Sequence, residues 1–325
     1  MNSAMNWVWP WLLAAVLARS DPAQTAQSLS NRTQADLTVG FAKKAFAGMN
    51  RNDVEASFKA FLVTVGRRRG FDLVVRTLVF EDSLDFEAAI RSAKVHIGIV
   101  PSWDYVTMHL SGFADPGFVA VDQQGILSEY LVLARREGGP RSLADLRGQS
   151  IVVLESVNTY SSWPWLQTLL LERQFGTPET FFGTVEKVAK PSGAVLPVFF
   201  GNHAACIVDR AAFDIMNELN PQIGQRLQVV LVSPPLLDAV ICLNRSGWIA
   251  PEHREAASLG LAEFDAEPQG QQILALFKVH KFVPFKPEYL DNMRKLRAEY
   301  DRLAKPAAHD SDRSSRPSND RRSAP

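Results

Sequence analysis

Two cysteines in 325 residues are too few for a disulfide scaffold, and their spacing matches no metal-binding pattern. Cys206 in "AACIVD" and Cys242 in "AVICLN" lie in apolar, strand-like runs. They read either as buried thiols behaving as small hydrophobes or, in an oxidising compartment, as a bonded pair. Net charge is also missing. Lys plus Arg and Asp plus Glu are both 35, which weighs against nucleic acid as the main partner. The six histidines are scattered, none in an HExxH or similar spacing, so no metal is expected. There is no GxGxxG, no P-loop and no G-x-S-x-G elbow, and nothing in the sequence gathers Ser, His and Asp into a triad. No cofactor is expected. Hydrophobic residues at 46% and charged ones at 22% describe an ordinary globular protein, long enough for two domains.

Long hydrophobic runs are absent but for one. "WVWPWLLAAVLA", Trp7 to Ala18, is uncharged, apolar all round and too short to span a bilayer comfortably. A small-x-small site follows at Ala18-Arg19-Ser20. The pattern predicts a cleaved export signal over residues 1–20, a polar linker over 21–35 and a periplasmic destination. At the other end, "KPAAHDSDRSSRPSNDRRSAP" has no apolar periodicity, and residues 305–325 read as a disordered tail.

Between these ends the chain alternates strand and helix patterns. "ADLTVGFA", "FDLVVRTLVF" and "KVHIGIVP" are strand-like, separated by helical patterns in "NDVEASFKAFLVTVGRRRG" and "SLDFEAAIRSA". Asn52 or Asp53 is the expected cap of the first helix. A second unit opens at "EYLVLARREGGPRSLADLRGQSIVVL" and continues through "SGAVLPVFFGNHAACIVD" and "LQVVLVSPPLLDAVICLN". Three helical patterns close the fold. The α/β grammar gives a first lobe over 36–130, a second over 131–244, and C-terminal helices over 245–304 returning to the first lobe. Hinge strands are expected around Leu131–Ala134 and Val240–Leu243. Ligands on such sheets bind beyond the carboxyl ends of the strands, and two facing lobes make a cleft there.

At that place in the second unit stands a knot of short polar residues, Asn158-Thr159-Tyr160-Ser161-Ser162, between the strand "SIVVL" and an amphipathic helix. Pro164 fits only a first helical turn, so this helix must start close to Ser161. The knot is either a plain N-cap or an anion cradle, since a helix N-terminus offers free N–H groups and partial positive charge. Trp103 and Tyr105 follow the strand "HIGIV" and either touch ligand or pack the hinge. Asp209 ends the strand "ACIVD" and Asp238 sits in a crossing loop; each is a cleft residue or a routine turn former. "GRRRG", Arg67 to Arg69, reads as a solvated turn.

In this order, "AAIRSAKVHIGIVPSWDYVTM", "SLADLRGQSIVVLESVNTYSS", "VLPVFFGNHAACIVD", "LQVVLVSPPLLDAVICLN" and "EPQGQQILALFKVHKFVP" resemble the periplasmic substrate-binding proteins of phosphonate-, phosphite- and phosphate-type ABC transporters (PhnD-like). The resemblance runs from "LTVGFA" to about Tyr300. It implies a two-lobed α/β receptor of the type II periplasmic-binding-protein class, closing on a tetrahedral oxyanion and serving an ABC permease as a monomer. By the same resemblance, Asn158, Thr159, Tyr160 and Ser161 would cradle the anion. Tyr105 matches the first-lobe tyrosine, and Asp209 and Asp238 match positions able to hold a ligand amine. The departures are equally specific. Asn-Thr-Tyr-Ser replaces Ser-Thr-Ser-Gly, so Tyr160 either shrinks the cleft or fills it from the side. An aromatic position after "VGFA" is Lys43 or Lys44, a cation for the anion or a surface residue. Other readings are an orphan or sensory receptor for another small anion, and an enzyme on this scaffold, for which Asp209 with Lys190 is the best available acid/base pair.

Overall fold

The computed structural model describes residues 33–43, 50–110, 112–156 and 159–304. The expected export signal, the tail, Lys44 and Asn158 lie outside the described residues. The run "TQADLTVGFA" forms β1 (Thr33–Ala42), which begins inside the stretch expected as linker. Its partners are β2 (Phe71–Phe80) and β3 (Ile97–Pro101), both parallel to it. With β4 (Ala114–Val121), β10 (Ala239–Asn244) and β11 (Lys281–Pro284) they make a sheet ordered β11-β4-β10-β3-β1-β2. The second sheet holds β5 (Tyr130–Arg135), β6 (Ser150–Leu154), β7 (Thr184–Val188), β8 (Ala205–Asp209) and β9 (Leu227–Val232), ordered β7-β6-β8-β5-β9.

The two sheets share one plan. The first sheet also carries β11, antiparallel on the outer edge of β4; in both sheets an inserted strand runs antiparallel between its neighbours, β10 between β3 and β4 and β5 between β8 and β9. Each is the first strand after the chain has changed sheets. Residues 239–244 therefore belong to the first lobe, not to the second as the sequence boundaries had it. The expected hinge strands also move. Leu131–Ala134 and Val240–Leu243 are locked by pairing on both sides, and a strand bonded on both edges cannot bend freely. The crossings are the segments 122–129 and 233–238. They lie antiparallel, with Ser128 and Leu236 exchanging both backbone hydrogen bonds at 2.8 and 2.9 Å. Pro234 and Pro235 keep the second crossing out of either ladder, because proline has no N–H to donate.

Three strands escaped the sequence patterns for physical reasons. β4 carries Pro116 and Gly117, which argue against a strand, yet Pro116 pairs opposite Cys242 at a register shift. β7 and β11 are short edge strands with no fully buried residue and therefore no clean alternation. The two cysteines settle readily. Cys206 lies in β8 and Cys242 in β10, in different sheets, and both are free and buried. Burial pushes both thiols well above their usual range.

Over the first sheet lies the helix Arg51–Arg68, capped by Asn50, whose side chain accepts the N–H of Asn52 at 3.1 Å. The cap is thus two residues earlier than Asn52. Phe58 and Phe61 on this helix pack on Phe264, with ring centroids 6.0 and 4.3 Å apart. Gly270, in the helix Pro268–Leu276, sits against the carbonyl of Phe264 so closely that a methyl group there would collide with backbone. Gly270→Ala is accordingly expected to cost about 1–3 kcal/mol, as other forced insertions into packed cores do, read as a lower urea midpoint.

The last helix, Asp291–Ala304, packs on the helix Ser162–Glu172 of the second lobe and on Ser102–Met108 of the first. The C-terminal region was expected to return to the first lobe; its final helix holds both. Among the described residues, no helix is long and apolar enough to cross a membrane, and no group of His, Cys, Asp or Glu is placed to hold a metal.

Candidate functional site

Two strand-to-helix turns meet where the lobes face each other. On the first lobe β3 runs straight into the helix Ser102–Met108. On the second, β6 leads through a short loop to the helix Ser162–Glu172, whose cap residue is Ser161, as the position of Pro164 required. Ser102 and Ser161 are fully buried, their hydroxyl oxygens 3.3 Å apart. Both hydroxyls donate to the carbonyl of Leu237 in the returning crossing, Ser161 at 3.1 Å. The Ser102 N–H donates to the neighbouring carbonyl of Asp238 at 2.9 Å. One peptide segment of the crossing thus ties together the strand-to-helix turns of the two lobes.

Asp238 is the hub of this junction. Its carboxylate accepts the hydroxyl of Ser128 at 2.7 Å and that of Tyr130. Although the side chain keeps partial access to solvent, its surroundings push its pKa up to about 7. Burial is the largest cause. The hydrogen bonds from Tyr130 and Ser128 pull it down, and the charges of Asp209 and Asp122 push it further up. Burial, then the carboxylate beside it, raises the phenol of Tyr130 well above the ordinary range.

The loop that the sequence singles out is spent on itself in this conformation. The Thr159 hydroxyl donates to the Leu154 carbonyl at 2.8 Å and accepts the Ser156 N–H at 2.8 Å. The Ser162 hydroxyl donates to the Thr159 carbonyl at 2.8 Å. The space left beside them, lined by Val153, Ser156, Thr159, Tyr160 and Trp163 among others, is about 10 Å³, the room of about one water. Tyr160 explains why so little is left. The ring springs from the second lobe but is only 8% exposed, packed in an apolar cluster with first-lobe Phe41, Phe58, Phe118 and Ile241. Burial foremost, with the charges of Asp238 and Asp104, raises its phenol far above the usual range. In this conformation the ring is thus buried against the first lobe.

The other expected site residues part company. Trp103 lies under the Arg297 guanidinium, 5.0 Å from the ring centroid, and edge-on to Tyr300 at 5.3 Å. Tyr105 is half-buried, its pKa raised to about 12 mainly by burial, then by Cys242, with Arg294 pulling down. Trp103 thus packs on the C-terminal helix, and Tyr105 lies near β10 and that helix. Asp209 is the N-cap of the helix Arg210–Leu219 and accepts the Ala212 N–H at 2.7 Å. Burial raises its pKa despite that bond. Asp209 and Lys190 make no ion pair among the described residues, and Lys190 is exposed where the helix Pro191–Phe200 begins, which leaves the acid/base pair without geometry. Lys43 pairs with Glu81 at 2.7 Å on the open surface. Ser102, Ser128 and Tyr130 were not foreseen. Ser102 had a signal, a short polar residue where a strand meets a helix; Ser128 and Tyr130 had none, because only the crossing brings them to Asp238.

The family model for ABC transporter, phosphonate, periplasmic substrate-binding protein matches residues 46–290. The chain belongs to that family. Its fold is shared by XAC2383 from Xanthomonas citri, solved with chloride, at a TM-score of 0.62 and 16% identity over 83% of this chain and 98% of that one. A binding protein component of an ABC phosphonate transporter from Pseudomonas aeruginosa superposes at 0.59, with 14% identity over 83% and 88%. PhnD1 from Prochlorococcus marinus, in complex with methylphosphonate, superposes at 0.56, with 14% identity over 82% and 99%. At such identities these structures show the common fold alone. No curated protein matches the chain by sequence. The family is one of substrate-binding components rather than enzymes.

Proposed function

We propose that this protein is an exported receptor that captures a small oxyanion between its lobes and hands it to the permease of an ABC importer. It would act in the periplasm, as a monomer and without a cofactor, on phosphonate, phosphite or a phosphate-like ion. The observation that supports this most is the junction of the two strand-to-helix turns, at the carboxyl ends of β3 and β6. There the helix Ser162–Glu172 begins, with its cap residue Ser161 facing Ser102 of the first lobe. The conformation described is shut on the protein's own groups. Capture requires the lobes to part at the crossings 122–129 and 233–238, so that Tyr160 leaves the first-lobe cluster and the loop from Asn158 to Ser161 can exchange its internal hydrogen bonds for the anion. Closure is then driven by contacts available only in the shut state. The burial of Tyr160 also favours a second reading, a sensory or orphan receptor whose loop no longer accepts phosphorus oxyanions.

A thermal-shift panel separates the two. Phosphate, phosphite, methylphosphonate, 2-aminoethylphosphonate, sulfate and small carboxylates are each added to purified protein. At a hundredfold excess over its dissociation constant, a ligand of the native state alone adds about 2.7 kcal/mol of stability. A raised melting temperature with one phosphorus oxyanion is the expected outcome. Silence across the panel from folded protein would remove the oxyanion assignment.

A further inference from the structure

The first lobe holds an empty space of its own. Inside the first lobe, between its sheet and the helices above, lies a cavity of about 150 Å³. Leu37, Ile99 and Ile241 on β1, β3 and β10 form its floor, and Phe61, Leu261 and Leu274 its roof. One end is closed by the crossings, at Ile126, Leu237 and Asp238. Water gains little there, since an internal water needs two to four polar partners, and engineered cavities of this size with such a lining stay dry and take up benzene or xenon.

The charged groups at the rim decide the ligand's polarity. Asp36 is paired with Arg76 at 3.1 Å, and Arg69 with Glu263 at 2.6 Å. Asp122 accepts the Gln124 N–H at 2.8 Å, and Ser128 donates to Asp238 at 2.7 Å. Asp36 and Arg69 are thus matched by opposite charges, and Asp122 and Asp238 are hydrogen-bonded to neutral donors at the end of the cavity, which leaves its interior apolar. A charged molecule would have to shed its hydration for no compensating contact.

From this geometry we infer a second binding site, inside the first lobe, for a small neutral apolar molecule about the size of a one-ring aromatic. It shares Ser128, Leu237 and Asp238 as a wall with the junction between the lobes but extends into the first lobe, and it does not rest on the oxyanion reading. Its occupant would lie against both crossings, the segments on which the two lobes turn.

The test uses the full chain with toluene as probe and with benzoate and benzylamine as charged molecules of similar shape. Toluene near saturation is expected to raise the melting temperature by about 5 °C, and the two charged analogues to leave it unmoved. Ala257→Phe places a ring in the cavity from the helix Pro251–Ala262 and is expected to weaken toluene binding at least tenfold by calorimetry. Should that variant not fold, Ala120→Leu on β4 fills the same space from the floor and is read in the same way. No shift with toluene or xenon, equal shifts with the charged analogues, or undiminished binding in the filled variant would each overturn the site.

Discussion

Replacing Tyr160 by serine is expected to lower stability by about 3–4 kcal/mol and to raise affinity for a small phosphorus oxyanion at least tenfold. The first effect follows from burial. The ring is packed among first-lobe aromatics, and truncating a buried aromatic removes its transfer energy and leaves a hole, together about 3–5 kcal/mol. The second follows from where the ring comes from. Tyr160 is a second-lobe residue, so its place in the first-lobe apolar cluster holds the lobes together without a ligand. A ligand that needs them apart binds only to the fraction already open, and its apparent affinity is reduced by that fraction. Every 1.4 kcal/mol taken from the shut state is a tenfold gain.

Two measurements check the pair of effects: urea unfolding, and titration calorimetry with methylphosphonate. Tyr160→Phe is the control, because it keeps the ring and should keep most of the stability. Unchanged stability in Tyr160→Ser would mean that the ring is not held between the lobes. A loss of stability with no gain in affinity would make Tyr160 a core residue and nothing more.

The prominence of Tyr160 was legible in the sequence, because a bulky residue stood where the family carries a small one. Its destination was not, since a loop position does not say which lobe will receive the ring. Much of the scaffold could be read from alternation and punctuation: β1, β2, β3, β6 and β8, the helix that Pro164 forces to begin at Ser162, and the tandem of two α/β units. The misplaced hinge shows the limit. Val240–Leu243 reads as a strand, but only the pairing with β3 and β4 reveals that this strand has already returned to the first sheet. The polar residues show another limit. Thr159, Ser161 and Asp209 each stand at a strand end or a helix start, where an oxygen is useful. Whether that oxygen meets a ligand or the chain's own N–H and C=O groups depends on partners far along the sequence, and in this conformation it is the chain's own.

Asp238 supplies the other large effect, and its sign is fixed by the direction of the shift. Its pKa is about 7 in the folded protein and about 3.9 in an unfolded chain. Below about pH 4 both states hold the proton and the group favours neither. As pH rises, the unfolded state gives up its proton first, so it gains and folding loses, until the loss is complete just above pH 7. The full gap corresponds to about 4 kcal/mol, and partial solvent access at Asp238 brings the expected loss to about 2–4 kcal/mol between pH 4 and pH 8. Asp238→Asn removes the titration while keeping an acceptor for Tyr130 or Ser128. Its urea midpoint should therefore stay nearly level where that of the parent falls, and at pH 8 the variant should be the more stable of the two. Asp209 is shifted in the same direction and adds a slope of its own to both proteins, so the difference between the two profiles, not either profile alone, reports Asp238 together with its coupling to Asp209. Parallel profiles for the two proteins would show that Asp238 is ionised throughout. The junction of Ser102, Ser161 and Leu237 would then enclose a permanent negative charge, the least hospitable neighbour for the anion this site is proposed to hold.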